Sequence, residues 1–171
     1  MFDAFTREQE RWSRSPRPAR HLERGAPYCE RYCAVMTQRN IEIGMRANAA
    51  FNSRDLDAAL QFFAPDAELR DLANAPDQAG AVKGIGAIRE AWTLWTAAFD
   101  ELRADIEEWT DAGDFVIGAA HWHGRGKASG MSIDVRQFDV YEVADGKIVR
   151  VTLGLKSKEE ALEAAGPSET A

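Results

Sequence analysis

Ile85, Ile88, Trp92, Trp95 and Phe99 recur at spacings of three, four, three and four, the repeat of one face of an α-helix. Burying five such side chains contributes on the order of 10 kcal/mol before entropy is subtracted, so this helix must lie on a sheet. Two helices precede it. The first is expected over 37–52 and breaks at Asn52-Ser53-Arg54-Asp55, where Asp55 can cap the next. That next helix places Leu56, Ala59, Leu60 and Phe63 on one side, and Ala64-Pro65-Asp66 ends it. A short strand over 67–72 and a polar loop through Pro76 to Gly84 lead into the aromatic helix.

Four strands are expected after it, at 101–110, 115–124, 132–143 and 147–155. Asp111-Ala112-Gly113 and Asp145-Gly146 supply tight turns between them, and the glycine-rich 124–130 a longer one. Ser157 with Glu160 forms a capping box for a closing helix, which Gly166 and Pro167 stop. Helices followed by an antiparallel meander define an α+β fold.

Composition narrows the function. The 171 residues are 45% hydrophobic, enough for one well-filled core. Net charge is −7; residues 1–35 carry seven Arg and five acids, net +2, which leaves −9 for the remainder. An acidic body argues against nucleic acid as a partner. No apolar run is long enough to span a membrane, and the first thirty residues lack a secretory signal's apolar centre. Both cysteines, Cys29 and Cys33, lie in the leading segment, so a reducing cytoplasm is the expected location. Residues 1–35, interrupted by Pro16 and Pro18, are expected to be mostly disordered, with a helical turn near 6–12. Met36 is a candidate natural start, followed by one domain over 36–166 and a flexible tail over 167–171.

The punctuation of the chain resembles a known family. The carrying segments are Asn40-Ile41-Glu42-Ile43, Ala50-Phe51-Asn52-Ser53-Arg54-Asp55-Leu56-Asp57-Ala58, Phe63-Ala64-Pro65-Asp66-Ala67-Glu68 and Gly84-Ile85-Gly86-Ala87-Ile88-Arg89. With them go Asp111-Ala112-Gly113-Asp114, the 124–130 loop, Asp145-Gly146-Lys147-Ile148-Val149-Arg150 and Glu160-Ala161-Leu162-Glu163-Ala164-Ala165-Gly166. Together they resemble the SnoaL-like polyketide cyclases of the nuclear transport factor 2-like superfamily. The resemblance implies a cone: three N-terminal helices packed on a curved antiparallel sheet, with a pocket at the open end for a small apolar organic molecule. Fold alone does not choose among the superfamily's isomerases, cyclases, dehydratases and binding modules.

The resemblance also points to two carboxylates. Asp71 ends a segment similar to the one that carries the catalytic base of ketosteroid isomerases, and Asp139, in Asp139-Val140-Tyr141, is similar to their oxyanion-hole aspartate. Two carboxyls facing one apolar cavity would be driven apart in pKa, one towards base and one towards acid; ketosteroid isomerase is itself the well-known case of such a division of roles. The tyrosine that completes the hole would fall near Ala47, which has no hydroxyl. Alternatively, Asp71 stabilises a loop and Asp139 pairs with Arg136.

If Asp139 points inward, so do Val135, Gln137 and Tyr141. The resemblance places Val116, Gly118, Ala120 and Trp122 inside as well, with the small pair leaving room for a ligand, and Trp92 at the pocket wall or in the core. His121 and His123 then face outward. With no third ligand near them in sequence, they read as surface or subunit-contact residues, and no metal is expected. No cofactor is expected either. Gly124–Gly130 joins two strands and so fits neither a phosphate loop nor a dinucleotide fingerprint. The readings left open are a cofactor-free isomerase, cyclase or dehydratase, with Asp71 as base, Asp139 as acid and Tyr141 and Gln137 orienting the substrate, or a binding module. Either is compatible with a homodimer through the outer sheet face.

Overall fold

The computed structural model describes residues 27–72 and 81–166, with side chains from residue 38 onward. The expected turn near 6–12 and the tail over 167–171 lie outside the described residues. In chain order the elements are α1 (Pro27–Asn52), α2 (Leu56–Leu60), β1 (Phe63–Asp71), β2 (Val82–Lys83), α3 (Ile85–Ala98), β3 (Arg103–Ala112), β4 (Phe115–Arg125), β5 (Ser132–Ala144), β6 (Lys147–Leu155) and α4 (Lys158–Ala164). The α+β class is as expected.

Helix α1 begins at Pro27, ten residues before the expected start, so 27–35 is helical rather than disordered. Proline suits a first helical position, because its fixed φ is already helical and its missing N–H would go unpaired there anyway. Helix α2 is a single turn. Asp55 caps it by accepting from the Ala58 N–H at 2.9 Å. Phe63 belongs to β1 and not to this helix, since one turn already buries Ala59 and Leu60.

The six strands form one sheet in the order β2-β1-β6-β5-β4-β3. The sheet is mixed: β1 runs parallel to β6, and the remaining pairs are antiparallel. The expected all-antiparallel sheet is corrected at this one pair, because β1 returns beside the last strand of the meander instead of extending its other edge. Asp145 (φ 51°) and Gly146 (φ 74°) make the two-residue turn between β5 and β6, the conformation that matches strand twist.

The inner face carries the main core. Ile43, Ala47 and Phe51 of α1 and Ile88 and Trp92 of α3 pack there on Leu69, Val116, Tyr141, Val143, Val151 and Leu153. Phe99, the last residue of the aromatic stripe, has already left the helix with extended backbone. Asn52 fastens α1 to the edge strand, accepting from the Ala104 N–H and donating to its carbonyl, both at 2.9 Å. The outer face has a smaller core of Phe115, Ile117, Val140 and Leu155, closed by Ala161 of α4. Ser157 caps α4 by accepting from the Glu160 N–H at 3.2 Å. Among the described residues no helix is long and apolar enough to cross a membrane.

Candidate functional site

Strand pairing places Asp139 opposite Gly118, on the inner face with Tyr141 and Val143. It is fully buried. Its Oδ2 accepts from the Trp122 indole N–H at 2.8 Å, and its Oδ1 accepts from the Gln137 amide at 2.8 Å. A third donor, the Gly154 N–H, lies 3.4 Å from Oδ1. Gly154 has φ 87° and sits at an irregularity of the β5–β6 pairing. Leu153 before it packs in the inner core and Leu155 after it in the outer one, so the chain turns over at this glycine.

Burial pushes the Asp139 carboxyl up to about 6, because an anion is poorly solvated there. The Trp122, Gln137 and Gly154 donors oppose that rise, and the negative charge of Asp71 adds to it. Burial also raises the Tyr141 hydroxyl well above its usual value, with Asp139 adding to the effect. Asp71 ends β1 opposite Leu153, two positions beyond the buried Leu69, and so shares the inner face. The alternative partner for Asp139, Arg136, is elsewhere: it bonds Glu107 on the outer face at 3.1 Å.

The inner face retains an apolar cavity of about 30 Å³ lined by Ala47, Phe51, Trp92, Trp122, Tyr141 and Leu153 among others. That is room for a water or two; an engineered cavity that holds benzene is about five times larger. Of the residues expected to surround a ligand, Trp92, Trp122 and Tyr141 line this space. Val116 and Ala120 are buried in the packing around it, and Gln137 serves Asp139. Val135 is corrected: it is 46% exposed, beyond the cavity.

The expected hollow over Gly118 and Ala120 is also corrected. Glu107 bulges out of the β3–β4 register, so Trp109 pairs with Gly118 and turns inward instead of alternating outward. A Cβ on Gly118 would lie 3.1 Å from Ile106 and 3.5 Å from Trp109, and one on Gly44 would lie 2.9 Å from Trp109. The room left by the glycines is filled by that indole. Trp109 then packs against Tyr141, with ring centroids 5.5 Å apart and planes tilted at 49°. At the other end Phe51 meets Trp92 and Trp122 edge-on at 5.2 and 5.7 Å.

Trp109, Phe51 and Gly154 were not identified from sequence. The bulges that aim Trp109 and Gly154 carry no local signature beyond the glycine itself. Among the described residues no three His, Cys, Asp or Glu side chains are placed to share a metal ion.

A family model described as a SnoaL-like domain matches residues 45–151. Among curated proteins nothing matches the chain. Solved structures do. A polyketide-cyclase candidate from Sinorhizobium meliloti is 26% identical with TM-score 0.55, over 66% of this chain and 94% of that one. A nuclear transport factor 2-like protein from Burkholderia thailandensis is 26% identical with TM-score 0.61, over 75% and 98%. TerC, crystallised with polyporic acid, is 21% identical with TM-score 0.60, over 73% and 98%.

Proposed function

The chain belongs to the SnoaL-like domain family of the nuclear transport factor 2-like superfamily, and from that premise we propose that it carries out cofactor-free acid–base chemistry on a small apolar molecule. The reaction would be an isomerisation, cyclisation or dehydration. The observation behind this reading is Asp139: a fully buried carboxyl, raised to about 6, with Asp71 near enough to contribute to the rise. A group that titrates close to neutral pH is suited to taking up and returning a proton.

The proposed roles differ from the sequence expectation. Three N–H donors around one carboxyl favour its ionised form, so Asp139 is proposed as the proton acceptor. Asp71, half-buried at the strand end, is the second proton-carrying group. Tyr141 lines the cavity and its hydroxyl stays protonated at working pH, so it is proposed to donate to an oxyanion as charge develops there. Gln137 holds Asp139, and Trp122 stands between that carboxyl and the cavity. A substrate would enter by displacing the Phe51 and Trp122 rings. The TerC co-crystal with polyporic acid supports a small organic ligand.

A second reading draws on the size of the cavity and on Asp139 lying behind its wall: a non-catalytic module for a small hydrophobic ligand, acting as a homodimer. Hydrogen exchange separates the two. Apolar cyclic ketones incubated in D2O should gain deuterium beside the carbonyl faster with the parent protein than with Asp139→Asn. Equal rates with retained binding would leave the binding module.

A further inference from the structure

A second cavity, of about 190 Å³, lies on the outer face of the sheet, beside the small core that α4 closes. It is several times larger than the inner one, and exceeds the roughly 150 Å³ that accepts benzene in an engineered core. Strand register explains what surrounds it. One row of directly opposed residues crosses five strands as Phe115, Glu142, Arg150, Glu68 and Lys83. The next row reads Ile117, Val140, Thr152 and Arg70. These positions alternate with Asp139 and Tyr141 along β5, so they face away from the inner cavity.

The cavity has two unlike sides. Leu72, Val140 and Phe115 form an apolar diagonal from the end of β1 to β4, with Ala164 of α4 against them. Arg70, Thr152, Arg150 and Glu142 form the other side. The Nη1 of Arg150 lies 3.1 Å from the Oε2 of Glu142. Yet that oxygen and the Nε of Arg150 are buried without a hydrogen-bond partner among the described residues. The pair is close without being hydrogen-bonded. Buried polar atoms are nearly always paired, so these two groups retain bonds to make. Arg70 bonds Glu68 through its Nε, and its two terminal nitrogens carry its remaining donors. The Arg70 and Arg150 side chains are 31% and 35% exposed, so solvent reaches the charged side.

We propose that this cavity is a second small-molecule site, for an aromatic monocarboxylate. The ring lies against Leu72, Val140 and Phe115, and the carboxylate takes hydrogen bonds from Arg150, Arg70 and the Thr152 hydroxyl. Size selects a single ring, since the space exceeds what benzene needs by about one small polar group. Charge selects the head group. Lys83, Arg70 and Arg150 outnumber Glu68 and Glu142 by one on this face, within a chain of net charge −7. One carboxylate balances that excess, whereas a dianion would meet Glu142 and Glu68 uncompensated. Arginine suits the task because its planar fork matches a carboxylate in two parallel bonds. The inference does not depend on the chemistry proposed at Asp139, which lies on the other face of the sheet.

The experiment is titration of the full chain with sodium benzoate at pH 7, followed by amide chemical shifts. Saturable shifts are expected at Leu72, Phe115, Val140 and Ala164, and not at Phe51 or Trp92 on the inner face. Benzamide, with the same ring and no charge, should bind about tenfold more weakly, because the bonds to arginine lose their ionic partner. Arg150→Gln should weaken benzoate by a similar factor. Glu142→Gln keeps the bulk and removes the opposing charge, so it should tighten benzoate about threefold; this variant decides the matter if Arg150→Gln fails to fold. No saturation by about 20 mM benzoate, the weak limit for so small a ligand, would overturn the site. So would shifts centred on the inner cavity, equal binding of benzamide, or a Glu142→Gln protein that binds benzoate no better than the parent.

Discussion

The indole N–H of Trp122 lies 2.8 Å from the Oδ2 of Asp139, and this bond joins the cavity wall to a carboxyl with no exposed surface. Trp122→Phe keeps much of the ring's bulk and removes the donor. A buried carboxylate short of one hydrogen bond should cost about 1–3 kcal/mol at pH 7, and its pKa should rise further. Because a protonated carboxyl has less need of that donor, the cost should shrink at pH 4.5. Urea unfolding at the two pH values checks this; an equal cost at both would show that the bond does not serve the anion.

Asp139 should also make stability depend on pH. Its folded-state value is about 6 against 3.8 for an unperturbed aspartate. Between those values the folded protein holds a proton that the unfolded chain has released, so stability falls as pH rises through the window. The loss is complete above about pH 6 and amounts to about 3 kcal/mol. Asp139→Asn removes the titration. The stability of the parent minus that of the variant should therefore drop by about that amount between pH 4 and pH 7. A difference independent of pH would place the carboxyl in a better solvated setting than its burial implies.

Phe51 meets both Trp92 and Trp122 and borders the 30 Å³ cavity. Phe51→Ala should lose about 3–5 kcal/mol of stability and join its vacated volume to that space. Benzene or indole should then bind measurably by calorimetry or chemical-shift perturbation. A variant that loses the stability without gaining a guest would mean that the helices collapse into the gap.

Gly154 sustains φ 87° and turns its N–H toward Asp139. Alanine there is strained by about 1–2 kcal/mol, and it should disturb the Asp139 carboxyl as well. Gly86→Ala is the control, because a Cβ there meets nothing within 4 Å; it should be neutral or mildly stabilising in a helix. Thermal unfolding of the two variants provides the comparison.

The class of fold, the four-strand meander and the caps at Asp55 and Ser157 were legible in the sequence, because each rests on interactions between near neighbours. The 3.6-residue repeat of α3 and the Asp145-Gly146 turn are of that kind. Placing Asp139 and Trp122 on one face was also possible, from alternation and the resemblance together. The bond between them was not, since 17 residues separate them along the chain and their meeting depends on the β4–β5 register.

What the sequence by itself determined, then, is which stretches coil, which extend and where they reverse. Only the tertiary structure decided that β1 lies parallel to β6, that the bulge at Glu107 turns Trp109 into the space over Gly118, and that Gly154 directs a donor at Asp139. The physical reason is that periodicity arises within a segment, whereas register, bulges and interior volume are settled between segments. A shift of one residue there exchanges the inner face for the outer.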